Sequence, residues 1–148
     1  MFKHILVPVD GSELSMTAVR AAIGFARLCG ARLSFYHATP TYFPGYLGAE
    51  MVVADPRVDQ AFMDAMRKRS DTLLEETRGL AEAAGVPCAT RATETDSPHS
   101  GIIAAADAGG CDLIFMASHG RRGIGALLLG SETQKVLTHC KVPVLVYR

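Results

Sequence analysis

The chain has 148 residues, 49 % of them apolar, and its 15 lysines and arginines balance 15 aspartates and glutamates. Such a length suits one domain that buries roughly 68–70 % of its unfolded surface, and such a composition excludes disorder. A formal charge of zero speaks against a nucleic-acid surface, and no apolar run is long enough for a membrane-spanning helix.

Strand and helix alternate along the chain. Residues 2–9 form an apolar, β-branched run that reads as the first strand, closed by the turn Asp10-Gly11-Ser12. This run is short, ends at an acidic turn and lacks a small-residue cleavage site, so it does not read as a signal peptide. The expected address is the cytoplasm. Residues 13–29 carry apolar side chains at Leu14, Ala18, Ala21, Ala22, Phe25 and Leu28, the spacing of a helix. Ser12 is a candidate N-cap and Gly30 a candidate stop. Residues 32–38 read as a second strand.

Residues 39–55 hold Pro40, Pro44, Gly45 and Gly48 among Tyr42, Phe43 and Tyr46, and read as a long loop. A long helix is expected over 56–84, with Asp55 as candidate N-cap and Pro56 in the first turn. Its core stripe is expected at Phe62, Met66, Leu73, Leu74, Leu80 and Ala84, with Arg67, Lys68, Arg69, Glu75 and Glu76 on a solvated face. Gly85 ends it. Residues 86–95 are weakly apolar and read as an edge strand. Ser97-Pro98 opens a helix marked by Ile102, Ile103 and Ala106, which stops at Gly109-Gly110. Residues 111–117 read as a buried strand, 131–139 as a short helix and 142–147 as the last strand.

This alternation implies an α/β fold with a mainly parallel sheet covered on both faces. In such sheets ligands bind outside the carboxyl ends of the strands, where the strand order reverses. Asp10, His37-Ala38 and Ser118-His119-Gly120 all fall at such ends. The segment from Ala117 to Ser131 is rich in glycine, carries Arg121 and Arg122, and joins a strand to a helix N-terminus. Unpaired backbone N–H groups and the positive end of a helix dipole favour an anion there, with phosphate the obvious guest. Gly120 and Gly130 permit close backbone approach. Ser131 offers a helix cap and a hydroxyl for a phosphate oxygen, and the arginines offer charge-assisted hydrogen bonds. His119 reads as a positioning or packing residue, since no carboxylate partner is evident.

Other site classes are not indicated. There is no G-x-x-x-x-G-K-[ST], no G-x-G-x-x-G after the first strand and no G-x-S-x-G. Cys29, Cys88, Cys111 and Cys140 are scattered without a C-x-x-C pair and read as structural thiols. His4, His99 and His139 lack metal-ligand spacing, and no metal site of protein ligands is expected.

Three segments together resemble the universal stress protein family: Lys3-His-Ile-Leu-Val-Pro-Val-Asp-Gly-Ser12, Cys111-Asp-Leu-Ile-Phe-Met-Ala-Ser-His-Gly120, and Leu127-Leu-Leu-Gly-Ser131 followed by Val142-Pro-Val-Leu-Val146. The resemblance runs over nearly the whole chain and implies one domain, residues 1–148, with a five-stranded, Rossmann-like sheet of order 3-2-1-4-5. The family's nucleotide-binding branch carries Gly, two residues, Gly, nine residues, Gly and then Ser or Thr. Gly120, the nine spacers 121–129, Gly130 and Ser131 match, and Ala117 stands where the first glycine would be.

The resemblance implies ATP as ligand, with Mg²⁺ or Mn²⁺ held through the phosphates. The implied binding residues are Pro8, Val9, Asp10, Ala38, Ala117, His119, Gly120, Arg121, Arg122, Gly130, Ser131, Glu132 and Thr133. Asp10 would meet a ribose hydroxyl and the Ala38 backbone the adenine ring. A stress-response regulator is the implied role. A slow ATPase or autokinase and a nucleotide-free dimeric interaction module are the alternatives. A homodimer through Val142-Pro-Val-Leu-Val-Tyr147 is expected in each case, and neither nucleic acid nor membrane is an expected partner.

Overall fold

Local signals set where each element starts and stops. A computed structural model of the chain describes residues 1–41, 56–120 and 129–148. Its elements are β1 (His4–Pro8), α1 (Glu13–Cys29), β2 (Arg32–Thr39), α2 (Pro56–Ala83), β3 (Cys88–Glu94), α3 (Pro98–Gly109), β4 (Leu113–Ala117), α4 (Ser131–His139) and β5 (Val144–Tyr147). Ser12 caps α1, its hydroxyl accepting from the Ser15 N–H at 3.2 Å. Gly30 ends the helix in the left-handed region at φ 64°, returning its N–H to the Ala26 and Arg27 carbonyls. Gly110 repeats that ending after α3 at φ 61°. Without a Cβ, glycine adopts this conformation at little steric cost.

The five strands form one parallel sheet in the order β3-β2-β1-β4-β5. Alternate residues along each strand face opposite layers. Ile5, Val7, Leu33, Phe35, Leu113 and Phe115 meet α1 and α2, including Val19, Ala22, Ala26, Leu74 and Ala81. Leu6, Tyr36, Ile114 and Met116 meet α3 and α4 through Ile102, Ala106 and Val136. Two helices thus cover each face. β3 lies at an edge, as its weak apolar content implies, and β5 at the other. No helix among the described residues is long and apolar enough to cross a membrane.

Two expected core residues lie outside the core. Leu28 is 86 % exposed, because it stands two residues after buried Ala26 and is therefore turned roughly 200° around α1. Phe62 is 47 % exposed. Further along α2, Arg67 and Ser70 lie beside Thr39 and Glu94, the last residues of β2 and β3, so the turns before them project past the strand ends. From there on the expected stripe is the one found: Leu74 is buried and Leu73, Leu80 and Ala84 pack against the core, with Ser70, Thr77 and Ala81 buried beside them. The loop expected over 39–55 begins later, since Thr39 closes β2. Its Tyr42, Phe43, Pro44, Gly45, Tyr46, Gly48 and Asp55 lie outside the described residues.

Candidate functional site

From β1 the chain passes to β2 on one side, and from β4 to β5 on the other, so the strand order reverses between β1 and β4. A crevice forms outside the carboxyl ends at such a point. On the β1 side, Val9 is locked in place. Its N–H donates to the Tyr36 carbonyl at 2.8 Å, and its own carbonyl accepts from His37 Nδ1 at 2.7 Å. A carbonyl cannot donate, so the His37 proton sits on Nδ1. His37 is buried and Ala38, the next residue along β2, is half-buried.

Asp10 is oriented by the turn that follows it. Its Oδ1 accepts from the Ser12 N–H at 2.9 Å and the Ser12 hydroxyl at 2.7 Å, and its own N–H donates to Ser15 Oγ at 3.2 Å. This is an Asx turn joined to a helix cap. The turn therefore fixes the carboxylate's orientation.

On the β4 side, the two ends of the glycine-rich segment are pinned together. The Ser118 N–H donates to the Tyr147 carbonyl at 2.7 Å, and the Gly130 N–H donates to the Ser118 carbonyl at 2.8 Å. Thr133 Oγ1 donates to the Ala117 carbonyl at 3.2 Å. Both motif glycines serve close approach. A Cβ on Gly120 would run into the Asp10 carboxylate, and one on Gly130 would lie 3.1 Å from His119 Cα. Ala117 is the last residue of β4, paired with Tyr147, and no non-glycine residue among those described has a positive φ. Alanine at that position therefore carries no backbone strain.

The N-terminus of α4 opens onto the same crevice. Gly130 occupies the N-cap position at φ −61° and ψ 149°, with no side-chain cap. Ser131, expected as a cap, is instead the exposed first residue of the helix. The sequence signal was ambiguous because a Gly-Ser pair allows either residue to end the loop. The first helical bond runs from the Gln134 N–H to the Gly130 carbonyl at 3.0 Å. The N–H groups of Ser131, Glu132 and Thr133 are thus left without intrahelical partners.

The side chains of Glu132 and Thr133 are engaged in packing. Glu132 Oε2 accepts from the His99 N–H at 2.8 Å and lies 3.1 Å from His99 Nδ1, and Oε1 accepts from Lys135 Nζ at 2.8 Å. Burial alone would raise the Glu132 pKa, but the Lys135 ammonium and the His99 donors outweigh it and hold it below the ordinary carboxylate range. What these two residues present to the crevice is their backbone.

The remaining candidates fall around this frame. His119 is half-buried, with Nδ1 3.2 Å from Ser118 Oγ, and Gly130 packs on its Cα. Arg121 and Arg122 lie outside the described residues. His4 belongs to the opposite end of the sheet, between Ser34 Oγ at 2.7 Å and Arg32 Nη2 at 3.1 Å. Burial pushes the Cys111 thiol up to about 11, which removes it as a nucleophile. No grouping of metal ligands occurs among the described residues.

Two supports of the site were missed in the sequence. Ser15 could have been found from the Asp-Gly-Ser-x-x-Ser spacing, which is that of an Asx turn leading into a cap. The His99–Glu132 bridge spans 33 residues and leaves no local signal.

The sequence model described as the universal stress protein family matches residues 1–148. A Thermus aquaticus universal stress protein is 35 % identical over all of this chain and all of its own. The solved structure of protein MJ0577, from Methanocaldococcus jannaschii, superposes with a TM-score of 0.82 at 25 % identity, covering 99 % of this chain and 95 % of that one. A universal stress protein solved in complex with cAMP shares the fold, with a TM-score of 0.68 at 24 % identity over 99 % of this chain and 97 % of that one.

Proposed function

The chain belongs to the universal stress protein family, and from that premise we propose that it binds ATP in the β1–β4 crevice and acts as a nucleotide-responsive regulator. One observation carries this reading: Gly120 lies against the pre-oriented Asp10 carboxylate, while the uncapped N-terminus of α4 opens onto the same crevice. A carboxylate suits the hydroxyls of a ribose, which donate to it. Unpaired N–H groups at a helix N-terminus suit phosphate oxygens. A ligand with a diol at one end and phosphates at the other matches both at once. A related protein of this fold holds cAMP, which supports a nucleotide as the class of guest.

In this reading Pro8 and Val9 line the crevice and Asp10 accepts from the ribose. The Ala38 backbone meets the adenine edge. Ala117, His119 and Gly120 shape the near wall. Gly130, Ser131 and the N–H groups of Glu132 and Thr133 hold phosphate oxygens, and Arg121 and Arg122 add charge. Mg²⁺ or Mn²⁺ would be carried by the phosphates and would shield their charge. The protein acts as a homodimer, with the outer edge of β5 as the pairing surface, since an unpaired terminal strand offers free backbone donors and acceptors. ATP occupancy then changes which partner the dimer engages.

Native mass spectrometry of the purified protein tests the ligand. A mass increment of one adenine nucleotide per protomer, absent in Gly130→Val, is the expected result. A ligand-free wild type that gains no such increment when ATP is added would overturn the reading.

A further inference from the structure

The ladder between β1 and β2 stops one bond short. In β2 the backbone groups of Arg32 and Tyr36 face β1: the Arg32 N–H donates to the Lys3 carbonyl at 3.0 Å, and the Tyr36 carbonyl accepts from the Val9 N–H at 2.8 Å. Those of Leu33 and Thr39 face β3, through Pro87 and Thr95. A period of two therefore turns the Ala38 N–H toward β1. Its regular acceptor in a parallel ladder would be the Val9 carbonyl. That bond is not made. The register ends at the Pro8–Tyr36 pair, and the Ala38 N–H has no backbone acceptor among the described residues.

The Val9 carbonyl is taken instead by His37 Nδ1, at 2.7 Å. A carbonyl oxygen can accept two bonds, so occupancy alone does not keep Ala38 away. The orientation of the Val9–Asp10 peptide does. Its oxygen is held by the His37 ring, and its N–H by Ser15 Oγ at 3.2 Å. Both side chains are buried. A buried imidazole is costly beside an apolar ring of its size, so packing alone does not account for His37. Backbone donors in folded proteins rarely go unpaired unless water or a ligand takes them. Here one is left open at the carboxyl end of β2, beside the crevice, on a residue that is only half-buried.

On the reading of the crevice as an ATP site, we propose that His37 is a positioning residue of that site. By binding the Val9 carbonyl it withholds this acceptor from Ala38 and keeps the Ala38 N–H open for a bare ring nitrogen of the base. Such a nitrogen is an acceptor with no proton of its own, and purines carry several. The base then makes the bond that the next rung of the ladder would have made. His37 touches no part of the nucleotide in this arrangement; it acts through Val9 and Ala38.

Amide hydrogen exchange and ATP affinity, measured on the full chain, test this. In the wild type the Ala38 amide exchanges fast without nucleotide and slows at least about tenfold when ATP saturates the site. In His37→Phe the side-chain donor is gone and the ladder closes by one rung. The Ala38 amide of the nucleotide-free variant then slows at least about tenfold, and ATP binds about tenfold more weakly. His37→Asn keeps an N–H at the place of Nδ1 and restores both properties. Damage to the fold would speed exchange, so slower exchange together with weaker binding separates this role from a structural one. His37→Leu gives the same result where the phenyl ring does not pack. Unchanged Ala38 exchange, or unchanged ATP affinity, in the folded variant would overturn the proposal and leave the ATP reading standing. A wild type that takes up no ATP would overturn that reading, and the proposal with it.

Discussion

Gly120 and Gly130 act by size rather than by backbone conformation. Neither has a left-handed φ, yet a Cβ on either would meet a neighbour that the site depends on. Gly120→Ala is expected to displace the Asp10 carboxylate and weaken ATP binding at least about tenfold, as read by fluorescent-nucleotide displacement. Asp10 itself separates stability from binding. Asp10→Ala removes the acceptor for both Ser12 donors and is expected to cost about 2 kcal/mol in urea unfolding. Asp10→Asn keeps a carbonyl acceptor and is expected to keep most of that stability while weakening ATP binding, since the proposed ribose contact loses its charge. At this scale the sequence was informative where spacing encodes the contact. The Gly120 and Gly130 positions were legible from their interval, and Ser12 from its place before a helical run. The approach of Gly120 to Asp10 was not, because it spans 110 residues and arises when β1 and β4 pair.

Elements are joined by groups that titrate. Glu132 belongs to the first turn of α4, yet it accepts the His99 N–H near the start of α3, where Ser97 makes no side-chain cap. Glu132→Gln is expected to cost about 1 kcal/mol of stability and to raise amide exchange in the first turn of α3. At the other end of the sheet, burial and the Arg32 guanidinium hold the His4 pKa below the ordinary imidazole value, outweighing the Gly109 carbonyl and Asp112. Both groups have folded pKa values below their unfolded ones. The contribution of each is therefore present above its unfolded pKa and lost as pH falls through its folded pKa. Urea unfolding over a pH series is expected to show a first decline below about pH 6.5, from His4, and a second below about pH 4.5, from Glu132. His4→Gln flattens the first and leaves the second. Most helix and strand limits were legible from capping residues and apolar periodicity. Phe62 fell outside the core because periodicity gives the face of a helix but not how far the helix overhangs its sheet.

At the scale of the whole molecule, alternation of strand and helix fixes a parallel sheet, since parallel neighbours need a crossover. The order 3-2-1-4-5 followed from family resemblance and is the order found. It puts a switch point between β1 and β4, and so brings together residues from the two ends of the chain. The same order leaves β5 at an edge. Light scattering at micromolar concentration is expected to give a dimer, and Val146→Lys a monomer, because a charge on that strand opposes pairing.

The claim on which the functional account rests is that the β1–β4 crevice holds ATP. Titration calorimetry with ATP and Mg²⁺ tests it most directly, on the wild type and on Gly120→Val, with circular dichroism to show that both are folded. The account predicts one site per protomer in the wild type and none in the folded variant. No heat of binding to the wild type at about 1 mM nucleotide, or the same Kd in both proteins, would contradict it.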